Sequence, residues 1–298
     1  MSTHDTLTQA IVAAHPGLAI TADATRPAVF SSDAPVYRAA KQACLALGFV
    51  EADAECVANA WQSMSQRTGR FNAQAWPDQP EDFGLRPWPR TDAFAACPRK
   101  LGLYAVLPDA AWVARMARAG VPTVQLRFKS DDRAAIEREV HAAVDAVEST
   151  GALLFINDHW QAAIAAGAYG VHLGQEDLDT ADLEKIRAAG LRLGLSSHGY
   201  AEMLRADRFS PSYLAMGAVF PTTLKRMVTA PQGTGRLGAY ARLMRDYPLV
   251  AIGGIDSSRL PEVLASGVGS VAVVRALVAA EHPEQMAASL QARISAEA

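Results

Sequence analysis

Short polar stretches at the ends of apolar runs carry residue types that could hold phosphate and a hard cation. Gln125, Arg127 and Lys129 alternate in Gln125-Leu126-Arg127-Phe128-Lys129. Residues two apart on a strand share a face, so an amide and two cations point one way and could grip a polyanion. The bland alternative is a solvated edge strand. Asn157-Asp158 ends the next run, and Gly174-Gln175-Glu176-Asp177 follows the one after it. Asp158 and Asp177 are 19 positions apart, the length of one short strand–helix unit. Neighbouring strand ends would bring both carboxylates to one cation, and Mg2+ takes one or two carboxylates together with water and phosphate oxygens. The alternative is that each Asp caps the helix after it.

Further along are Ser196-Ser197-His198, then Thr222-Thr223-Leu224-Lys225, then Gly253-Gly254, then Val274-Arg275. Hydroxyls, a lysine and a glycine pair suit a phosphate, since backbone N–H groups can approach it where no side chain intervenes. They equally suit an ordinary loop, and a lone His such as His198 is more often structural. Taken together, the set reads as a metal–diphosphate pocket beside a monophosphate pocket.

These residues need a scaffold that gathers them. After position 100, apolar runs alternate with amphipathic segments that often end in glycine. The runs are 101–107, 123–128, 153–157, 169–174, 192–197, 213–220, 249–255 and 270–277. Near-continuous apolar strands alternating with helices mean a parallel sheet covered by helices. Eight such units in the last 198 residues predict a (β/α)8 TIM barrel, with an open doubly wound sheet as the alternative. In a barrel the strand C-termini share one rim, where active sites lie. The first 99 residues differ. Ala34–Leu47 and Ala52–Ser65 have helical spacing, and 70–100 holds five prolines. This predicts a small, mainly helical extension and an irregular linker over 1–99, ahead of a catalytic barrel over 100–298.

Composition narrows the function classes. Hydrophobic residues make up 50% and charged residues 20%, which is enough apolar surface for a core rather than disorder. A net charge of −3 argues against a globally basic nucleic-acid binder. Cys44, Cys56 and Cys97 form no CxxC pair, which argues against a disulfide scaffold or structural zinc site and fits a reducing cytoplasm. No secretory signal pattern and no long uncharged apolar stretch stand out, so neither secretion nor a membrane span is expected.

The motifs VQLRFK (124–129), FINDHW (155–160), GVHLGQEDL (170–178), GLSSH (194–198), VFPTTLK with APQG (219–233) and AIGGI (251–255) resemble the thiamine phosphate synthase family. The resemblance runs from about Leu101 to about Ala279 and omits the N-terminal region. It implies coupling of hydroxymethylpyrimidine diphosphate to hydroxyethylthiazole phosphate with loss of diphosphate. It assigns Gln125, Arg127, Lys129 and Asn157 to the pyrimidine diphosphate, Asp158 and Asp177 to Mg2+, and Ser196 to the pyrimidine. Lys225 would reach the diphosphate, so Arg127, Lys129 and Lys225 would assist its departure. Thr222, Gly254 and the Val274-Arg275 pair fall on the thiazole-phosphate side, with Thr223 beside them. The partners implied are two small phosphorylated substrates, with no nucleic acid and no membrane; a homo-oligomer is compatible.

Three positions depart from the family pattern. Leu224 stands where a second threonine usually does, which puts Thr223 out of register. Arg275 stands for a serine, and would either pair with the phosphate or fill its pocket. His159 stands for a common arginine. Two other readings use parts of the pattern. One is a thiazole phosphate tautomerase with His198 moving protons; the other is a pyrimidine-phosphate-binding homologue that does not couple.

Overall fold

The structure is a computed structural model that describes residues 3–21, 28–87, 90–222 and 229–296. Thr223, Leu224 and Lys225 lie outside the described residues.

Eight parallel strands close into a barrel in chain order. They are β1 (Gly102–Leu107), β2 (Thr123–Leu126), β3 (Leu153–Asn157), β4 (Gly170–Leu173), β5 (Arg192–Ser197), β6 (Tyr213–Met216), β7 (Leu249–Ala251) and β8 (Ser270–Val273). Gly102 pairs with Ser270 and Ala105 with Val273, so β1 and β8 seal the sheet and no edge remains. This is the closed form of the two sheets expected from the pattern.

Three helices precede the barrel: α1 (Thr3–Ala14), α2 (Pro35–Ala46) and α3 (Glu51–Thr68). The barrel helices are α4 (Ala110–Arg118), α5 (Arg133–Val147), α6 (Trp160–Ala165), α7 (Leu183–Ala188), α8 (Tyr200–Asp207), α9 (Gly233–Leu243), α10 (Leu260–Leu264), α11 (Arg275–Val278) and α12 (Pro283–Ala296). Local chemistry sets their ends. The Asp109 carboxylate accepts the Trp112 N–H at 2.8 Å and starts α4, and Asp182 accepts from Lys185 N at 3.0 Å to start α7. Gly120 and Gly190, with φ of 83° and 74°, supply the left-handed turn after α4 and α7. The run 270–277 is not one strand: Val274 turns to ψ −80° and Arg275 begins α11.

Alternation divides the apolar residues into two layers. Val124, Leu126, Leu154, Ile156, Val171, Leu173, Leu193 and Leu195 face out and meet the helices. Tyr104, Val106, Phe155, Tyr213, Ala215, Val250 and Ala272 face in and fill the barrel. The inner layer must fit large against small. A Cβ at Gly194 would overlap the Tyr213 ring, so glycine there is what admits the tyrosine.

The helices expected at 34–47 and 52–65 are α2 and α3, packed on each other and joined by α1. Buried Lys41 binds them, reaching Glu51 and Glu55 at 2.6 Å each. The Glu55 carboxyl is pushed down to about 2: partial burial opposes its ionisation, but hydrogen bonds from Lys41, Ser31 and Tyr37 outweigh that cost. Among its described residues the proline-rich stretch is irregular apart from one 3-10 turn at Pro80–Phe83, and it is pinned at several points. Trp76 Nε1 donates to the Tyr200 hydroxyl at 2.8 Å. Arg90 pairs with buried Asp207 at 2.6 Å, and the Ser212 hydroxyl donates to Ala95 O at 2.6 Å. The strap thus runs down α8, from its first turn to the entry of β6, before the chain enters β1.

Asp53 of α3 lies at the top of α8, where its carboxylate accepts the Ala201 N–H at 2.8 Å. Burial raises the Asp53 carboxyl from 3.8 to about 6, with Glu202 adding to the rise and the Ala201 N–H and Arg236 opposing it. Below 3.8 the group is protonated in the folded and unfolded chain alike; between 3.8 and about 6 only the folded chain keeps the proton; above that the fold carries a buried charge. Its contribution to stability is therefore fully present at low pH and is lost as pH rises through about 6. Over that window the wild type should lose on the order of 3 kcal/mol relative to Asp53→Asn. Urea unfolding of both proteins from pH 4 to 8 checks this; parallel curves would contradict it.

Candidate active site

The strand C-termini bring most of the expected residues to one rim. Gln125 is buried inside the barrel, and Arg127 extends its alternation by one step, its N–H donating to Leu107 O at 2.7 Å. Lys129 lies beyond the strand end and is exposed. Asn157 ends β3 opposite His172 of β4.

Asp158 follows with φ 62°, a left-handed conformation that a short polar side chain tolerates. Its N–H donates to His172 O at 3.0 Å, which continues the β3–β4 ladder past Asn157. The Asp177 carboxylate accepts the Gly174 N–H at 2.8 Å, folding the loop after β4 back on itself. Neither Asp caps a regular helix: His159 occupies that place before α6, and Asp182 before α7. The capping alternative therefore does not describe these two residues.

Electrostatics join them. Asp158 is exposed, yet the surrounding protein and then the negative charge of Asp177 push its carboxyl above the usual carboxylate range. Arg127 pulls it back down, and Glu176 adds to the rise. A cation held between Asp158 and Asp177 would relieve the rise that the Asp177 charge imposes on Asp158. Among the described residues no cluster of three or more His, Cys, Asp or Glu could hold a metal alone. A pair of carboxylates completed by water and substrate oxygens suits Mg2+.

Below the rim runs a chain of hydrogen bonds that links the expected residues Gln125 and Ser196. Gln125 Nε2 donates to the Tyr104 hydroxyl at 3.1 Å, and that hydroxyl lies 2.7 Å from the Tyr213 hydroxyl. Tyr213 is 2.7 Å from His172 Nδ1, and His172 Nε2 is 2.8 Å from Ser196 Oγ. Burial pushes both tyrosine hydroxyls up, so both stay neutral. With Gln125 donating at one end, each hydroxyl passes its own proton onward, and His172 carries its proton on Nε2 for Ser196. Ser196 then keeps a hydroxyl proton for a ligand, and Gln125 keeps its amide oxygen. Tyr104, His172 and Tyr213 are absent from the sequence-based set. Period-two alternation could have found them, because each lies on the inward phase of its strand.

The remaining residues are more dispersed. Thr222 is half-buried just past β6. Gly253 and Gly254 have φ of 106° and 65°, and a side chain at Gly254 would press on Pro221 O and Phe220. Close approach of the β6 and β7 ends is thus one reason for the glycine pair. Val274 packs on the inner cluster, and Arg275 opens α11 with its side chain exposed. His198 is tied into α8: its Nδ1 lies 2.6 Å from Glu202 Oε2, which also accepts the His198 N–H at 2.9 Å. His159 Nε2 meets Phe128 O at 2.9 Å, joining the ends of β2 and β3.

Tyr213→Phe removes the hydroxyl at the centre of the chain and strands buried polar atoms of Tyr104 and His172. We expect a loss of about 1–3 kcal/mol in urea unfolding. An unchanged midpoint would show that the chain carries no net stability.

Comparison with known proteins gives a consistent result. Residues 103–277 match the family model described as thiamine monophosphate synthase. A thiamine-phosphate synthase of Neisseria meningitidis serogroup A is 55% identical over 192 residues, covering 64% of this chain and 94% of the relative. One from Yersinia pseudotuberculosis serotype O:1b is 49% identical over 200 residues, 67% of this chain and 93% of the relative. Among solved structures, a thiamine phosphate pyrophosphorylase from Pyrococcus furiosus aligns with a TM-score of 0.60 at 28% identity, over 67% of this chain and 98% of that one.

Proposed function

The chain belongs to the thiamine monophosphate synthase family, and from that premise we propose that it couples hydroxymethylpyrimidine diphosphate to hydroxyethylthiazole phosphate in a Mg2+-dependent reaction. The observation that carries this reading is the stacking of two features. A polar chain ending in Gln125 and Ser196 lies directly below a rim where Asp158 senses Asp177 and Arg127.

The bond that breaks joins the pyrimidine methylene carbon to a diphosphate oxygen, and the bond that forms joins that carbon to the thiazole nitrogen. Gln125 and Ser196 orient the aminopyrimidine, whose electron-rich ring stabilises the cationic carbon as diphosphate leaves. Asn157, Arg127 and Lys129 hold the diphosphate, and the two cations stabilise the charge that develops on it. Lys225 adds a third cation. Asp158 and Asp177 would hold Mg2+, which when bound supplies further positive charge to the leaving group. Thr222, Thr223, Gly254, Val274 and Arg275 form the thiazole-phosphate side. No protein nucleophile is required; the residues position and neutralise. In this reading residues 100–298 are the catalytic unit. Free Cys44, Cys56 and Cys97 and a pair of phosphorylated substrates support a cytoplasmic location for the enzyme. No described helix is long and apolar enough to cross a membrane.

Purified protein with both substrates and Mg2+ should form thiamine phosphate and diphosphate; no product above a no-enzyme control overturns the reading. Calorimetry separates the non-coupling homologue, which would bind the pyrimidine diphosphate and not the thiazole phosphate. Asp158→Ala and Asp177→Ala should each lower Mg2+-dependent turnover roughly 100-fold or more; full turnover in both would remove the metal assignment. Arg275→Ser distinguishes the two roles of that arginine: a fall in coupling means that Arg275 holds the phosphate, and a rise means that it obstructs the pocket.

A further inference from the structure

The first 99 residues lie outside the family match, which begins at residue 103. The Neisseria relative aligns over 94% of its own length, so it has no room for a counterpart of this module. The module nevertheless packs against the barrel, and among its contacts are one on α8 through Asp53 and one on α9 through Arg236. Neither point belongs to the catalytic set.

The first grip is on α8. Asp53 accepts the Ala201 N–H, and a Cβ on Gly199 would overlap the Asp53 carboxylate. Only His198 and Gly199 separate this helix from β5, whose end carries Ser196 and Ser197. Glu202, one turn into α8, holds the His198 N–H, and Gln175 Nε2 holds the Ser196 carbonyl at 2.8 Å. The seat of α8 therefore sets the Ser196 end of the polar chain.

The second grip is on α9. Arg236, in its first turn, is only 2% exposed. Its guanidinium donates to Leu18 O at 2.9 Å and Leu47 O at 2.8 Å, and lies 3.6 Å from the centre of the Phe49 ring. All three partners belong to the module. The same guanidinium donates to Gln232 Oε1 at 3.2 Å, which also accepts from the Tyr240 hydroxyl at 2.8 Å. Gln232 closes the segment that leaves β6: its N–H donates to Ala218 O and the next N–H to Val219 O, both at 2.9 Å. Three residues beyond Val219 stands Thr222. Gly235 approaches Gly17 O so closely that no side chain fits between them.

We propose that the N-terminal module is a positioning element for the active site, with Asp53 seating the Ser196 end through α8 and Arg236 seating the Thr222 end through Gln232. The inference rests on the coupling reaction proposed above for its substrates, but its structural half does not. Asp53 and Arg236 touch no substrate; they act on binding through the two helices. The two grips address different strand ends, so the two substrates should respond to different variants.

Full-length Asp53→Ala and Arg236→Met test this, with Asp53→Asn retaining the acceptor and Arg236→Lys retaining the charge. Asp53→Ala should raise KM for pyrimidine diphosphate roughly tenfold, with kcat and the thiazole-phosphate KM held within about twofold. Arg236→Met should do the reverse, and the conservative variants should restore most of each loss. If Arg236→Met does not fold, Gly235→Ala wedges the same contact. KM values that stay at wild type, or that rise together in proportion to lost stability, overturn the proposal.

Hydrogen exchange without substrate keeps the test separate from the enzymatic reading. Exchange should quicken in 199–207 for the Asp53→Ala variant and in 232–241 for Arg236→Met, while β1 to β4 stay protected. A wild type that forms no product refutes the coupling reaction alone. Unchanged exchange in both variants refutes the positioning role, whatever the wild type catalyses.

Discussion

Closure of the sheet between β1 and β8 is the constraint on which everything else rests. A closed parallel barrel has no edge to satisfy, and it gives every second residue of every strand an inward direction. That rule separates the leucines and valines that hold the helices from the aromatic and polar residues inside. It also brings eight strand ends, distant in sequence, to one rim. Gln125, Asn157, Asp158 and Ser196 come to one end of the barrel because of closure and not because of any direct attraction among them.

Inside the barrel, polar groups must be satisfied by one another. Tyr104, Tyr213 and His172 could not be buried singly without a cost that a domain of ordinary stability would feel. Linked in series between Gln125 and Ser196, each finds a partner, and the series has a direction. The floor of the site is therefore hydrogen-bonded in series before any ligand arrives, so less must be organised at the moment of reaction. The rim above is the opposite case. Burial and the charge of Asp177 hold the Asp158 carboxyl above the usual carboxylate range, which leaves a demand for a cation. A settled floor under an electrostatically unsettled rim suits a site that takes up metal and diphosphate.

Much of this is legible in the chain. Apolar runs separated by helical segments ending in glycine give the eight units, and the polar residues at their ends mark the rim. Periodicity does not mark the boundary where one run crosses two elements. The stretch 270–277 is apolar apart from Ser270 and Arg275, but the strand stops at Val273, Val274 turns the chain and Arg275 begins a helix. His172, Tyr104 and Tyr213 escape notice for a different reason. Each sits alone among apolar neighbours, and its partners come from other strands. The proline-rich strap likewise reads as a loose linker, since proline says where hydrogen bonds are lost within a segment and nothing of those made across it. Arg90 with Asp207, and Ser212 with Ala95, join positions more than a hundred residues apart.

The sequence by itself determined eight strand–helix units with a barrel as the expected form, the helical region ahead of them and the residue types at each strand end. These follow from periodicity and local backbone preference, which act over a few residues and can be read within them. Only the tertiary structure decided which polar residues share a hydrogen bond, that the Asp177 charge acts on Asp158 and neither caps a regular helix, and that Asp53 and Arg236 fasten the N-terminal module to α8 and α9. The physical reason is range. Hydrogen bonds and charge coupling depend on distances of a few ångströms in space, and closure of the chain sets those distances without reference to separation along it.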